Sequence, residues 1–185
     1  MRLARRHGVL LIAWALALWL AGGCAWFAAE TPDSLMKDGQ QLYLDKKYDE
    51  AIMKFERVIE LDNTRWLAYV YIARCYMAKG SWTKAIDNAR LAYKASPGGE
   101  DVVPTLAQAL WGGGTEALKN GQYRDAISAL VEYVRIQPGD ASGFVALGKA
   151  YMQSGERTEA LGAFMKAFQL NPSMSEAQEL LRGLR

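Results

Sequence analysis

The sequence contains one histidine and two cysteines, so it has few of the residues from which metal sites and many catalytic sites are built. His7 lies in the N-terminal segment, and the two cysteines cannot form a disulfide if one of them carries a lipid. Gly112-Gly113-Gly114 lacks the Lys and Ser/Thr that follow the glycines of a phosphate-binding loop. We therefore expect no catalytic residue, no metal and no cofactor.

An excess of charge of one sign is also missing. The formal net charge is +2, and three of the 22 basic residues lie in residues 1–23, which contain no acid. The remaining chain is nearly neutral, which gives no electrostatic footprint for nucleic acid. Nucleic acid is therefore not an expected partner.

The N-terminal segment combines Arg2, Arg5 and Arg6 with an apolar run from Val9 to Ala21. A helix of that length reaches roughly 20 Å, which is short of the ~30 Å hydrocarbon core of a membrane. This pattern is typical of a secretory signal peptide. If the run is counted on to Ala29, it is long enough for an uncleaved transmembrane helix, which is the alternative interpretation.

The junction Leu20-Ala21-Gly22-Gly23-Cys24 resembles a bacterial lipobox, in which the cysteine is lipidated and becomes the first residue of the mature protein. This resemblance implies a signal peptide at 1–23, lipid on Cys24 and a short linker at 24–32. It also implies an envelope protein that faces the periplasm. The residue after the cysteine is Ala25 rather than an Asp that would signal inner-membrane retention, which favours the outer membrane where a cell has one.

Four alanines, Ala51, Ala85, Ala126 and Ala160, mark a repeat, because the first and last intervals between them are equal and the middle one is only slightly longer. Around each lie small and bulky residues at the same offsets, as in the last unit with Gly148, Tyr151, Gly155 and Phe164. This pattern resembles the tetratricopeptide repeat, which folds as two antiparallel helices. The equal intervals match its period of about 34 residues.

The resemblance implies an all-α fold, an α-α superhelix of four helix-turn-helix repeats followed by a capping helix. We expect repeats at 33–64, 65–98, 99–139 and 140–172, and a capping helix at 173–185. Cys75 takes the place of Ala150 and is expected to be a small buried residue.

The third repeat is irregular, because an insertion at Gly98–Pro104 precedes a first helix expected at Thr105–Asn120. That helix contains Gly112, Gly113 and Gly114, and each interior glycine costs about 0.5 to 1 kcal/mol relative to Ala. Gly114 is expected at the crossing of the two helices. Gly112 and Gly113 have two interpretations. They form a hinge or allow a ligand to approach the backbone closely, or they belong to a degenerate repeat. If the helix is continuous, alanine at Gly112 and Gly113 should stabilise it.

In tetratricopeptide proteins the first helices line a concave groove that binds protein partners. The positions that match the family's groove residues are Met36, Gln40 and Tyr43 in the first repeat, Val70, Arg74 and Met77 in the second, Trp111, Thr115 and Leu118 in the third, and Val145, Lys149 and Met152 in the fourth. Methionines and aromatic side chains suit an amphipathic helix or an extended peptide. Some of these residues, notably Met77 and Val145, have the alternative role of packing between repeats. Met36 and Gln40 replace the Lys and Asn of the carboxylate-clamp type, which argues against a chaperone tail as ligand.

The resemblance implies a non-catalytic, membrane-anchored lipoprotein scaffold that supports assembly of an envelope complex, such as pilus, secretion or outer-membrane machinery. The expected partners are an envelope protein or peptide, and the membrane through the N-terminal lipid. The alternatives are a self-assembling envelope protein, in which the chain forms homo-oligomers, and a repeat domain on an uncleaved transmembrane helix. Carboxylates such as Asp87, Asp125 and Glu159 are expected on outward faces of second helices, in solvent.

Overall fold

The computed structural model describes residues 30–184, so the predicted signal peptide and Cys24 lie outside the described residues. The described part contains only helices: α1 Pro32–Leu44, α2 Tyr48–Leu61, α3 Trp66–Ala78, α4 Trp82–Ala95, α5 Val102–Lys119, α6 Tyr123–Ile136, α7 Ala141–Ser154, α8 Arg157–Leu170 and α9 Ser175–Leu184. The first eight form the four expected pairs, and α9 is the expected C-terminal helix. None of the helices in this part has the length and hydrophobicity that a membrane crossing requires.

A left-handed residue ends the first helix of every pair. Lys46, Gly80, Gly121 and Gly155 have φ values of 60°, 69°, 74° and 89°. In the second pair, Gly80 N–H donates to the carbonyl of Met77 and Ser81 N–H donates to that of Tyr76, and the same two bonds recur at the other three turns. This is the Schellman arrangement, which satisfies the last carbonyls of a helix and reverses the chain. Glycine at three of the four turns suits this conformation, because it has no Cβ.

The helices of each pair cross where a small residue of the first helix faces a residue of the second. A Cβ at Gly39 would lie 2.6 Å from Phe55, and one at Gly148 would lie 2.5 Å from Phe164. In the third pair, a Cβ at Gly114 would lie 2.8 Å from Leu130. The second pair instead uses Ala73 and Ala89, both fully buried in one cluster. Where the second helix has a large residue at the crossing, the first helix has glycine. Where the second helix has alanine, the first helix also has alanine, and both combinations keep the interior filled.

The core is continuous along the array, because each helix packs against its neighbours in sequence. The alanines that marked the repeat, Ala51, Ala85, Ala126 and Ala160, are all fully buried. The first helices α1, α3, α5 and α7 also contact one another in succession, whereas the second helices do not make contacts of comparable extent. The first helices therefore lie on the inner side of the array, as the resemblance implies.

The insertion before the third repeat is partly helical, which differs from the expected start at Thr105. Helix α5 begins at Val102, and Pro104 lies in its first turn, where no backbone N–H is needed. Val102 is fully buried and packs with Val70 and Ala92. Burial of this valine explains why the helix starts earlier than the predicted boundary.

Helix α9 covers the last pair. Its Ala177 is fully buried with Val145 and Ala167, and Met174 and Leu180 pack against this cluster. The prediction of a C-terminal helix that closes the core with its apolar face is confirmed. The helical spacing predicts that Glu176, Gln178, Glu179 and Arg182 face water. Three of them are exposed, whereas Gln178 is half-buried.

Candidate protein-binding groove

The predicted groove residues occupy three equivalent positions on each first helix, one before the crossing residue and two after it. The structure separates these positions by burial. The later two positions are half-buried in all four repeats: Gln40, Tyr43, Arg74, Met77, Thr115, Leu118, Lys149 and Met152. These eight residues, together with Trp111, form what we call the inner strip.

The earliest position is buried in three of the repeats. Val70 packs between Ala92 of its own pair and Val102 of the next first helix. Val145 packs in the same way between Ala167 and Ala177. Met36 is 8% exposed and lies in the first core cluster. These three side chains therefore pack between repeats in this structure and offer little surface to a partner, which for Val145 is the alternative role given above.

Trp111 holds the earliest position in the third repeat and is the exception. It is half-buried, and its ring lies 5.2 Å from that of Tyr133. Next to it, the Thr115 hydroxyl donates to the Trp111 carbonyl over 2.8 Å. Because its hydroxyl is already hydrogen-bonded, Thr115 presents mainly its methyl group to the surface.

Both cations of the inner strip have intramolecular partners. Arg74 lies 3.1 Å from a carboxylate oxygen of Asp101 and 5.6 Å from the centre of the Tyr71 ring. The ammonium group of Lys149 lies 2.5 Å from Glu176 on α9. The strip is therefore close to neutral, and its binding surface is mainly apolar and aromatic.

An aromatic cluster forms the N-terminal part of the strip. The Tyr71 ring is stacked on Phe55 at 5.1 Å and meets Tyr43 edge-on at 5.7 Å. Tyr48 adds a fourth ring, 5.9 Å from Tyr43. Burial raises the pKa of Tyr43 above its ordinary value, which favours the neutral phenol. Such a wall offers large contact area to apolar side chains and polar hydroxyl tips to a peptide backbone.

Sequence reasoning missed three residues of this site: Tyr71, Asp101 and Glu176. Tyr71 follows the buried Val70 and was not among the carried-over positions. Asp101 lies in the insertion and Glu176 lies in α9, and no groove position of the repeat applies to either of them. A comparison of the repeats does offer one signal for Tyr71. It is the only aromatic residue that directly follows the earliest groove position in any of the four first helices.

The glycine run of the third repeat is a packing feature. No positive φ occurs at Gly112, Gly113 or Gly114, and α5 is continuous through them. A Cβ at Gly112 would lie 2.2 Å from Trp82, and one at Gly113 would lie 2.8 Å from Ile86. The structure therefore favours a packing role over a hinge. The stabilisation expected from alanine in a continuous helix is opposed by the side chains of α4 that occupy the space.

Groups that could support catalysis are dispersed. Asp87, Asp125 and Glu159 are exposed, as expected. Within residues 30–184, no cluster of His, Cys, Asp and Glu has the geometry of a metal site. Cys75 is fully buried, as predicted, and burial raises its pKa to about 12, which makes the thiol a poor nucleophile at neutral pH.

Comparisons with known proteins agree with this architecture. A family model described as Tetratricopeptide repeat matches residues 39–100 and 112–175. Superkiller protein 3 of Saccharomyces cerevisiae is 29% identical over 136 residues, which cover 72% of this chain and 9% of the relative. Superkiller complex protein 3 of Mus musculus is 44% identical over 55 residues, 30% of this chain and 4% of the relative. The chain thus spans less than a tenth of the length of these two curated relatives.

Solved structures show the same fold at low identity. A crystal structure of MamA protein aligns with a TM-score of 0.58 and 20% identity, covering 83% of this chain and 84% of that one. MamA 41-end from Desulfovibrio magneticus RS-1 aligns with a TM-score of 0.56 and 17% identity, covering 84% of both chains. These likenesses concern the fold alone. Because the family model covers well over half of the sequence, the chain belongs to the tetratricopeptide repeat family.

Proposed function

We propose that the chain is a non-catalytic scaffold that binds a protein partner along the inner strip and holds it at a bacterial envelope. The neutral, apolar and aromatic surface of the first helices carries this proposal. Protein binding is the property such a surface offers, because side chains like Tyr43, Trp111 and Met152 supply contact area without requiring a charged ligand.

The partner that this strip fits is an extended peptide or an amphipathic helix. Arg74 and Lys149 are already neutralised by Asp101 and Glu176. A ligand that relied on acidic groups would have to displace those carboxylates. Recognition through apolar side chains needs no such exchange, so an apolar face on the ligand is favoured.

Anchoring at a membrane is the second part of the proposal and is supported by the sequence. Three arginines, an apolar run and small residues before Cys24 favour lipidation of that cysteine after removal of residues 1–23. The anchor would place the repeats at the periplasmic face, with the outer membrane favoured. The uncleaved transmembrane helix is the alternative anchor.

The names of several curated relatives support a role in an assembly. They include Superkiller complex protein 3 and Anaphase-promoting complex subunit 3, both named as members of complexes. For this chain, the proposed assembly is an envelope machine of the pilus, secretion or outer-membrane class.

The strip is tested by co-purification of the full chain from crosslinked bacterial envelopes. Leu118→Glu and Met152→Glu introduce charge on the strip and should abolish capture of the partner. Leu91→Glu is the matched control, because Leu91 is 45% exposed on the second helix α4 and should not contact the partner. Charge reversal at Arg74 or Lys149 is a poorer test, because it also breaks an ion pair within the chain.

Retention of the partner by both strip variants would contradict the proposal, as would capture of a second copy of the chain alone. The same preparation tests the anchor through the mass of the mature N-terminus. Lipidation predicts a modified Cys24 as the first residue, and Cys24→Ser should release the protein from the membrane. An intact Met1 in a membrane-bound chain would establish the transmembrane alternative.

A further inference from the structure

A second apolar surface lies at the C-terminal end of the array, away from the inner strip. Met165 and Phe168 on α8 are 57% and 39% exposed. With Leu161 and with Leu181 of α9, they line a groove of about 1180 Å³ between the two helices, which we call the terminal groove. Large apolar side chains gathered in one groove differ from single exposed residues, which are common on any surface.

The first two repeats carry charge at the position that Met165 occupies in the fourth. Met165 occupies the position that is Glu56 in the first repeat and Arg90 in the second. Both of those residues are exposed, and Arg90 forms an ion pair with Glu132. A position that faces water thus carries charge in the first two repeats, the smaller apolar residue Val131 in the third and methionine in the fourth.

Helix α9 has the position of a first helix in the repeat, and no second helix is paired with it among the residues that the structure describes. Ala177 and Leu181 lie one full repeat period after Gly143 and Leu147 of α7. Leu147 is 6% exposed and shares a cluster with Ala163 of α8, whereas Leu181 is only half-buried. Within the described residues no helix follows α9. Among the described helices, the surface beside Leu181 is exposed where a second helix lies in the other pairs.

Gly162 lies in the middle of α8 and lines the terminal groove. A Cβ at Gly162 would meet nothing within 4 Å, in contrast to the glycines at the helix crossings. Glycine inside a helix costs about 1 kcal/mol relative to Ala, and packing within this chain does not explain it. A glycine at this point does allow the backbone of a docked helix to approach closely.

The charges around the groove define the chemistry of its occupant. Lys166 and Arg182 lie at its rim, and no Asp or Glu is among its lining residues. Neither cation forms an ion pair with any residue of the part described. A symmetric contact between two copies would bring the two basic rims together, which disfavours a second copy as occupant.

We propose that the terminal groove binds an amphipathic helix of a partner protein. The apolar side chains of that helix pack against Met165, Phe168 and Leu181. Carboxylates flanking the apolar face of that helix pair with Lys166 and Arg182. The terminal groove is separate from the inner strip. An experiment that contradicts binding at one surface therefore leaves the proposal for the other unchanged.

The test uses the full chain in lipid nanodiscs and two designed, fluorescently labelled helical peptides. The peptides have the same leucine face, and their polar positions are all Glu in one and all Lys in the other. Binding is measured by anisotropy, with empty nanodiscs as the blank. The wild type should bind the Glu peptide about tenfold or more tightly than the Lys peptide.

Two sets of variants assign the binding to the groove. Lys166→Glu with Arg182→Glu should reverse the preference between the peptides. Gly162→Gln should weaken binding of the Glu peptide by about tenfold or more by filling the groove, while the melting temperature stays equal or rises. Met53→Glu is the matched control, because Met53 is an exposed methionine at the position equivalent to Gly162 in the first repeat, and it should leave both affinities unchanged.

Equal affinity for the two peptides, or affinities that the Lys166 and Arg182 changes do not alter, would overturn the proposal. Self-association of the wild type in sedimentation that Gly162→Gln abolishes would overturn it as well, because the occupant would then be a second copy.

Discussion

The turn after the first helix has a left-handed residue in all four repeats. Lys46 is the only one of these four residues that is not glycine. Its φ of 60° lies in the same left-handed region as those of Gly80, Gly121 and Gly155. A side chain in the left-handed region costs about 1 kcal/mol relative to glycine. The sequence showed the substitution at this position, and the structure shows that the backbone conformation is kept in spite of it.

Lys46→Gly is therefore expected to raise the free energy of unfolding by about 1 kcal/mol. The matched control is Gly80→Ala, which should lower it by about the same amount, because a Cβ at Gly80 meets nothing within 4 Å and only the backbone strain remains. Urea unfolding of the two variants measures both effects. A neutral result for both would contradict the equivalence of the two turns.

Tyr133 connects three helices and is expected to make the stability of the fold depend on pH. Its hydroxyl donates to Asp140, which caps α7, over 2.6 Å. Burial, then the hydrogen bond to Asp140, raise the pKa of Tyr133 to about 12, so the folded state prefers the neutral phenol. The stability that the neutral phenol of Tyr133 contributes is fully present below the ordinary tyrosine pKa of about 10 and is lost as the pH rises toward 12.

The free energy of unfolding should therefore fall between about pH 10 and pH 12, and Tyr133→Phe should reduce that fall. Denaturant melts at several alkaline pH values measure it. Tyr123→Phe is the control, since Tyr123 begins the same helix and has no hydrogen bond to a carboxylate among the described residues. An equal effect of the two substitutions would contradict the assignment to Tyr133.

At the scale of elements, α5 shows how far a repeat can depart from its pattern. Its glycines would weaken an isolated helix, yet Gly112 and Gly113 let Trp82 and Ile86 of α4 pack directly on the backbone. Loss of helix propensity is thus offset by burial of large side chains from the neighbouring repeat.

Replacing Gly112 and Gly113 by Ala is expected to destabilise the protein by about 1 to 3 kcal/mol, because Trp82 must move from its position. Gly162→Ala provides the comparison: it is also an interior helical glycine, but in open space, and should stabilise by up to about 1 kcal/mol. Thermal melts of both variants are the measurement. Stabilisation by the Gly112 and Gly113 changes would show that Trp82 does not pack on α5.

Much of the whole molecule followed from the sequence, because a repeat places equivalent residues in equivalent environments. The period of the alanines and the turn glycines located eight helices and the crossings between them. The insertion was harder, because Val102–Pro104 has no counterpart in the other repeats. Its helical state depends on burial of Val102 against α3 and α4, which no local pattern records.

The site was predicted less completely than the fold. Positions transferred from a family say which way a side chain points on a single helix, but burial also depends on the next repeat. Met36, Val70 and Val145 were assigned to the groove and are buried in the core. The partners of Arg74 and Lys149 lie in the insertion and in α9, outside the periodic part.

The central claim is that the inner strip is the surface on which a partner binds. Site-specific photo-crosslinking of the full chain in bacterial cells tests it most directly, with the crosslinker placed at Gln40, Thr115 or Met152 on the strip. Glu56, Leu91 and Thr158, exposed on second helices, are the comparison positions. The account predicts that one and the same envelope protein is crosslinked from the three strip positions and from none of the others. Crosslinking of that protein from the second-helix positions alone, or of no protein from the strip, would contradict it.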